Sequence, residues 1–430
     1  MAQGVRLTRR MLGMLQARLP DAGLDRVKDP RDVRGRRWVL EVLLRAVLVA
    51  LIAGCKSLAQ AEALTAEMSV PLRKRLGIAR RVADTTMRDV LCALDPEELR
   101  GPLHLVVRAA HRRKALEPDM LPFGAVAMDG KGSGLPSCDD HYAQRQSQGE
   151  GAHLVGVVRT MTCTLISSRA KPCIDAIPIP AATNEMGQFE MSLRSLVDAY
   201  RGIDLFRMVT YDAGACSEYN GSVVRGHGLH YLFGLKGTQP TLLAEAQRLL
   251  ASLLPQSAAA STEDVIGGPR TVVRHVYLTE QMAGFDDWEH LRTVLRVESE
   301  TFDARGRRTA HENRYYITSM PACRLTAAQW LLLVRLHWGV ENNCHHTLDT
   351  AFEEDDRPWI ESNPRGMLVV ALLRRLAYNL LTLFRSVTQR SDQRRATPWL
   401  DLLRWFYNAI ISATDADLAR LRPRPLAGAP

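Results

Sequence analysis

The sequence lacks the motifs of zinc-binding and disulfide-rich proteins. Its eight cysteines are scattered over 430 residues, and none belongs to a Cys-x-x-Cys pair. Neither a zinc knuckle nor a disulfide framework is therefore predicted. A His-Glu-x-x-His motif is missing too, which argues against a zinc hydrolase. These absences indicate reduced cysteines in a cytosolic protein.

Membrane-targeting features are also missing. The apolar run 38–54 is interrupted by Glu41 and Arg45 and is too short to cross a bilayer. The first 19 residues are basic and amphipathic, without the continuous apolar core of a signal peptide. We therefore expect a soluble, cytoplasmic protein with no membrane partner.

The composition is that of a globular protein with an excess of positive charge. Hydrophobic residues make up 46% of the chain and charged residues 24%, and the formal net charge is +9. Such a balance favours a polyanionic partner, with nucleic acid ahead of a membrane surface.

Periodicity and punctuation divide the chain into five segments and predict an α/β fold. Their predicted characters are, in order, an all-helical N-terminal domain, the first part of an α/β core, a β-rich insertion, the second part of the core, and a basic tail. The segments are 1–118, 119–239, 240–322, 323–389 and 390–430.

Arginines cluster near the predicted starts of the N-terminal helices. Arg34, Arg36 and Arg37 precede the helix predicted at 38–53, and Arg88 lies on a helix for which Asp84 is the predicted N-cap. A helix-turn-helix arrangement could use such arginines to bind DNA. A helical packing or dimerisation domain with a solvated basic face is equally compatible.

Three acids stand where chemistry is expected. Asp129 and Asp212 each end a short apolar strand, and Glu341 lies on a helix that begins with a capping box at 326–329. His337, Glu341, His345 and Asp349 recur every four residues, so a helix presents them as one column beside its apolar stripe. Unrelated turn formers and a solvated helix edge would give the same pattern.

Carboxylates gathered at one site suggest a hard divalent cation. Like charges repel, so a cluster of Asp129, Asp212 and Glu341 is stable mainly when cations occupy it. Oxygen ligands suit Mg²⁺, with Mn²⁺ as a substitute. Two such ions about 3.5–4 Å apart can activate a nucleophile and stabilise a leaving oxygen in phosphoryl transfer.

Eight sequence blocks are spread along the chain. They are DPRDVRGRRWVLEVLL at 29–44, AMDGKGSG at 127–134, TNEMGQF at 183–189, VTYDAGACS at 209–217, FGLKGTQPTLL at 233–243, RYYITSM at 314–320, HWGVENNCHHTLDTAFEEDD at 337–356 and LLRRLAYNLL at 372–381. Together they resemble the blocks of DDE insertion-sequence transposases, in particular the group of the H-repeat-associated proteins. Their order matches the family over roughly residues 29–385.

The resemblance implies a ribonuclease H-like mixed sheet flanked by helices, with Asp129, Asp212 and Glu341 as catalytic residues and metal ligands. It also implies DNA contacts for Lys131 and Lys236. Further residues match positions of supporting or uncertain role, namely Asn342, His337, His345 and Asp349. The segment after Lys131 departs from the family, because 132–136 lacks the expected arginine.

The implied function is metal-dependent cleavage and strand transfer of DNA. The partners would be double-stranded DNA, as terminal inverted repeats and as target, and a second copy of the chain in a dimer on DNA. The implied location is the bacterial cytoplasm, at the nucleoid. An inactive, transposase-derived DNA-binding protein that acts as a repressor is the alternative, and a nuclease without strand transfer is a weaker one.

Overall fold

A computed structural model describes residues 2–421 apart from 79, 137, 149–152, 267 and 269. It confirms a mixed α/β protein with a helical N-terminal region. The N-terminal helices are α1 (Ala2–Arg18), α2 (Leu40–Ile52), α3 (Leu58–Glu67), α4 (Val70–Leu76), α5 (Asp84–Ala93) and α6 (Arg100–Arg112). The N-cap of α5 is Ala83, so the prediction that Asp84 caps this helix is wrong. Asp84 is instead the first helical residue, and its Oδ1 accepts a hydrogen bond from Thr85 N.

The first half of the core begins with four consecutive strands and alternates helices with strands only after β4. Its strands are β1 (Ala125–Pro136), β2 (Ala143–Gln148), β3 (His153–Leu165), β4 (Cys173–Ile179), β5 (Met208–Tyr211) and β6 (His230–Leu235). Its helices are α7 (Phe189–Ala199), α8 (Glu218–Gly226) and α9 (Pro240–Leu250). The three adjacent strands β1, β5 and β6 run parallel.

The β-rich segment that follows is antiparallel and extends the same sheet. It contains β7 (Ala260–Ile266), β8 (Arg270–Thr279), β9 (Thr293–Phe302) and β10 (Arg308–Thr318). Strand β10 pairs with β6, so the order within the described residues is β2-β3-β1-β5-β6-β10-β9-β8-β7, with β4 also paired to β3. These four strands therefore extend the core sheet beyond β6.

The remaining helices return to the core and then to the N-terminal helices. They are α10 (Ala327–His337), a π-helical segment (Val340–His345), α11 (His346–Thr350), α12 (Pro364–Leu383), α13 (Asp392–Arg395), α14 (Trp399–Ile411) and α15 (Asp415–Ala419). One apolar cluster combines buried residues of α1–α6 with residues of α12, α14 and α15. The basic tail is thus partly helical and packs on the N-terminal helices.

Helix α12 belongs to the interior of the protein. The segment Pro364–Thr388 is long and apolar enough to cross a membrane, with a mean hydropathy of 1.6, but 94% of its most apolar stretch is buried in the protein. Arg375 of this helix forms a buried ion pair with Glu354, at 2.9 Å. A charge pair on a buried face is typical of a helix packed against protein.

A buried acid joins the N-terminal helices to the sheet. Asp175 on β4 is fully buried and accepts hydrogen bonds from Arg100 of α6, from Nε at 3.0 Å and from a terminal nitrogen at 2.7 Å. His104 Nε2 lies 3.1 Å from Asp175 Oδ2. Burial alone would raise the pKa of Asp175, but the charges and hydrogen bonds of His104 and Arg100 lower it below its usual value. The ionised carboxylate therefore stabilises the contact between α6 and β4.

Substituting Asp175 should destabilise the fold strongly. We expect Asp175→Asn to lower the free energy of unfolding by roughly 3–5 kcal/mol at pH 7, because the largely buried Arg100 loses the counter-charge of Asp175 and retains the partly exposed Glu97 as its acidic partner. Urea denaturation measures this, with Asp198→Asn as control. Asp198 pairs with Arg201 at the surface, so its loss should cost under about 1 kcal/mol.

The same substitution predicts a pH dependence. The folded-state pKa of Asp175 is lowered, so its stabilisation is present above the unfolded value of about 3.9 and is lost as the pH falls through the lowered folded value. The difference in stability between the wild type and Asp175→Asn should therefore shrink below about pH 4. A difference that grows with acid would contradict the prediction.

Candidate acidic site at the sheet edge

The register of two parallel strands brings the two aspartates together. Ala125, Val126 and Ala127 of β1 pair with the residues 208–210 of β5. Two residues further along this register, Asp129 lies beside Asp212, on strands that are about 4.8 Å apart. Alternation along the strands directs both side chains to the sheet face that α10 covers.

Asp212 leaves its strand in a tight turn. Its Oδ1 accepts a hydrogen bond from Gly214 N at 2.8 Å, so one carboxylate oxygen caps the short turn Ala213–Ala215. A Cβ atom at Gly234 of β6 would lie 3.1 Å from Ala213 N, and glycine there lets the turn pass close to β6. The side chain of Asp212 remains exposed.

The helical segment that carries the third acid packs on the sheet face that bears the two aspartates. The capping box that the sequence predicts at its start is present, with Thr326 and Gln329 exchanging hydrogen bonds of 3.2 and 3.0 Å. At the other end of α10, the buried His337 Nδ1 is 2.9 Å from Thr210 Oγ1. The Thr210 contact holds the helix over β5, two residues before Asp212.

The helix widens where the chemistry is predicted. Residues Val340–His345 form a π-helical turn, which includes Glu341 and Asn342, both exposed. His345 is buried, and its Nδ1 lies 3.4 Å from Asp129 Oδ2. The predicted column of polar residues therefore does face β1, around Asp129, and the end of β5. Its spacing differs from that of a regular α-helix because a π turn intervenes.

Electrostatics link Glu341 to both aspartates. The pKa of Glu341 is raised, first by burial and then by the negative charge of Asp129, with a further contribution from Asp212. The positive charges of His345 and Arg314 act in the opposite direction. Asp129, Asp212 and Glu341 are therefore near neighbours whose charges are incompletely balanced.

The three carboxylates are suitable ligands for a hard divalent cation, but their side chains are not oriented towards a common point. Three carboxylates with an excess of negative charge are the oxygen ligands that Mg²⁺ and Mn²⁺ prefer. Among the residues that the structure describes, no three His, Cys, Asp or Glu side chains are close enough to hold an ion as they stand. Binding would therefore require rotation of carboxylates such as the exposed Glu341.

Lys131 is buried and forms ion pairs with two carboxylates. Its ammonium group lies 2.7 Å from Asp349 Oδ1 and 3.0 Å from Asp355 Oδ2, and its side chain is only 8% exposed. Burial alone would lower the pKa of Lys131, but Glu354, Asp349 and Asp355 more than offset that effect and raise it. A contact between Lys131 and a DNA phosphate would require these ion pairs to open.

Lys236 lies in a different setting, on the wall of a cavity beside Asp212. The cavity has a volume of about 570 Å³, and its lining includes Asp212, Lys236, Arg314, His337 and Trp338. Lys236 is exposed. The Arg314 guanidinium stacks on the Trp338 ring at 4.6 Å. Two cations thus stand on the wall that also carries the second aspartate.

Two charged residues near the site were not predicted from the sequence. Arg314 begins the block at 314–320, and Glu185 lies within the block at 183–189. Burial raises the pKa of Glu185, and the charges of Asp129 and Asp212 raise it further. Both residues belong to blocks shared with the family, and this was the only signal that could have identified them.

The arginines predicted to bind DNA belong to the N-terminal helical region. Arg34, Arg37 and Arg88 are exposed. Arg36 is exposed as well, but its guanidinium donates to Arg31 O at 2.7 Å and also lies 3.5 Å from Asp29.

Arg37 lines a basic groove of about 460 Å³. Four arginines and Trp38 form much of its wall, and Glu62 is the acid among them; the arginines are Arg31, Arg37, Arg80 and Arg81. Arg80 stacks on the Trp38 ring at 4.1 Å, and Arg81 pairs with Glu62.

Comparisons with known proteins agree with the sequence blocks. A family model described as DDE_Tnp_1-associated matches residues 22–104. The H repeat-associated putative transposase YhhI of Escherichia coli K12 is 27% identical over 184 residues, which cover 41% of this chain and 47% of that protein. The putative protein YbfL of the same strain is 26% identical over 184 residues, covering 41% and 47%.

A third relative is the putative transposase YncI of Escherichia coli O157:H7, which is 24% identical over 185 residues, covering 40% of this chain and 45% of that protein. The chain thus spans about half the length of the curated relatives it matches. The resemblance to transposases that the sequence blocks indicate is confirmed by the family model and by these relatives.

Neutralising Glu341 should stabilise the metal-free protein slightly. The raised pKa means that this group favours folding below its unfolded value of about 4.3, an effect lost as the pH rises through its folded value. Above that value we expect Glu341→Gln to gain roughly a few tenths of a kcal/mol, since solvent screens the exposed carboxylate. Thermal unfolding in EDTA at pH 4 and pH 7.5 tests this. A variant less stable than the wild type at pH 7.5 would contradict it.

Proposed function

We propose that this chain, a member of the transposase family of the H repeat-associated proteins, cleaves and joins DNA strands at the acidic site with divalent cations. The observation that carries this proposal is that Asp129 within β1, Asp212 directly after the parallel strand β5, and Glu341 on the helix that covers both strands are near neighbours. The order of elements around these residues is compatible with a ribonuclease H-like core, which we include in the proposal.

The chemistry follows from the charge of the site. Asp129, Asp212 and Glu341 would hold two Mg²⁺ ions, or Mn²⁺ in their place. Ions bound there would activate a water or the 3′-hydroxyl of a DNA strand and would stabilise the leaving oxygen. The carboxylates would orient the ions, and the buried His337, bonded to Thr210, keeps the helix of Glu341 in place. Asn342, His345 and Asp349 would have supporting roles, the last through its ion pair with Lys131.

Cations around the acidic site would bind the DNA backbone. Lys236 and Arg314 stand beside Asp212 and would contact phosphates next to the reacting bond. The N-terminal arginines, among them Arg34, Arg37 and Arg88, would bind more distant phosphates of the terminal inverted repeat. Two DNA ends must be held together for strand transfer, so we propose a homodimer on DNA, at the bacterial nucleoid.

Removing any of the three acids should abolish strand cleavage. We expect Asp129→Asn, Asp212→Asn and Glu341→Gln to lower Mg²⁺-dependent cleavage at least about 100-fold, because each loses a ligand charge. The substrate is a duplex that carries the DNA flanking the gene for this chain. Binding of the duplex without metal should change little in these variants.

The matched control is Asp204→Asn, whose exposed carboxylate pairs only locally with Arg207. It should cleave as the wild type does. Full cleavage by any of the three acid variants would overturn the assignment. A wild type that binds the flanking DNA but does not cleave it in Mg²⁺ or Mn²⁺ would favour the inactive, repressor-like alternative.

The basic groove should contribute to DNA affinity. We expect the double variant Arg37→Gln, Arg80→Gln to weaken DNA binding and to reduce the slope of log K against log salt by about 0.9 for each lost phosphate contact. Fluorescence anisotropy at several salt concentrations measures both effects. The control is Arg201→Gln, an exposed arginine on the turn after α7, which should leave the slope unchanged. An unchanged slope in the double variant would exclude the groove as a DNA contact.

A further inference from the structure

A fourth carboxylate lies against the strand that carries Asp129. An ideal Cβ atom at Gly130 would lie only 1.8 Å from Glu185 Cδ, and 2.1 and 2.2 Å from its two carboxylate oxygens. The Glu185 carboxylate thus fills the space that any other residue at 130 would occupy. Glycine at this position has a specific consequence, since it admits an acid next to the first aspartate.

The turn that carries Glu185 is anchored to the end of β5. Gly187 N donates to Asn184 Oδ1 at 2.9 Å, and Gln188 N donates to Asn184 O at 2.9 Å. Immediately afterwards α7 begins with the buried Phe189, whose ring packs edge-to-face on Tyr211 at 5.3 Å. Tyr211 is the residue before Asp212, so this contact ties the Glu185 turn to the end of β5.

Glu185 and Glu341 approach the aspartates from different faces of the sheet. Side chains alternate along β1, so the space at Gly130 lies on the face opposite to that of Asp129. Strand β5 ends at Tyr211, and beyond it β1 has no partner on this side. Carboxylates from the two faces can therefore meet at this edge.

Glu185 is half-buried, and within the described part of the chain no hydrogen bond or ion pair satisfies its carboxylate. Its oxygens do not belong to the fully buried polar atoms that lack a partner, so they remain accessible to a ligand from solvent. The neighbouring His345 is only 8% exposed, and its Nε2 has no hydrogen-bond partner among the described residues, while Nδ1 faces Asp129. Unsatisfied polar atoms of both signs therefore surround Asp129.

We propose that Glu185 is a fourth acid of this site and contributes, together with Asp129, to the binding of a divalent cation of the Mg²⁺ or Mn²⁺ type. The inference rests on the proposed function and extends its ligand set. In the proposed site two ions share Asp129, and Asp212 and Glu341 belong to the sheet face that Asp129 itself occupies. A ligand from the opposite face would complete the set. Glu185 supplies such a ligand.

Metal binding by the full chain without DNA tests this inference directly. We expect Glu185→Gln to weaken Mn²⁺ binding, followed by electron paramagnetic resonance of the free ion, by at least about tenfold for one of two ions. Glu190→Gln is the matched control. Glu190 lies on α7 and accepts a hydrogen bond from Tyr219 at 2.6 Å, so its variant should bind Mn²⁺ as the wild type does.

A second variant displaces the same carboxylate without removing its charge. Gly130→Ala keeps the charge of Glu185 but displaces it, and should also weaken Mn²⁺ binding. The thermal midpoint in EDTA separates a ligand from a structural residue. Glu185→Gln should leave the midpoint unchanged or raise it, because a repelled charge is removed, whereas loss of a structural contact would lower it.

Glu341→Gln distinguishes the failure of this inference from the failure of the proposed function. If Glu341→Gln weakens Mn²⁺ binding and Glu185→Gln does not, Glu185 is no ligand and the proposed function stands. If neither variant changes Mn²⁺ binding, the metal-dependent function fails together with this inference. A lowered midpoint of Glu185→Gln in EDTA with unchanged Mn²⁺ affinity would assign the residue to packing.

Discussion

The parallel pairing of β1 with β5 is the constraint on which the candidate site depends. Parallel neighbours end at the same edge of a sheet, and their register places Asp129 level with Asp212. The helix of Glu341 reaches the same edge because His337 contacts Thr210 one strand position earlier on that face. The resulting cluster of negative charge opposes folding in the absence of cations, and the surrounding core must compensate for it.

The sequence predicted those features that depend on neighbouring residues. The apolar strand that leads into Asp212 is present, as is the capping box that begins with Thr326. The prediction that a strand ends at Asp129 is wrong, because β1 continues to Pro136. The π turn at Val340–His345 was not predicted, because its hydrogen bonds differ from those of an α-helix without a distinct side-chain pattern.

Contacts between distant segments account for what the sequence could not predict. Lys131, which was expected to contact DNA, is buried and pairs with Asp349, 218 positions away in the sequence. Glu185 comes from a turn whose own sequence gives no reason to place it beside Gly130. Charges of one sign are common at any surface, and only the fold decides which of them meet. The predicted roles of the catalytic acids remain predictions.

The charged groups divide into two populations. Some cations are held by buried acids, as in the pairs Arg100 with Asp175 and Arg375 with Glu354, and these fasten helices to one another and to the sheet. Other cations, such as Lys236 and Arg37, lie on open walls of cavities. Only the second population can respond to a polyanion, and because each buried pair sums to zero, the net charge of +9 is carried by the charged groups outside these pairs.

The shared apolar core of the first and last helices has a consequence for biosynthesis. Residues of α1–α6 are translated before α12 and α14, which complete their buried surface. The N-terminal helices therefore cannot bury this surface until α12 and α14 have been synthesised. A nascent chain without these two helices would expose that surface to chaperones and proteases, so the basic groove and the acidic site would mature together, only after α12 and α14 have been made.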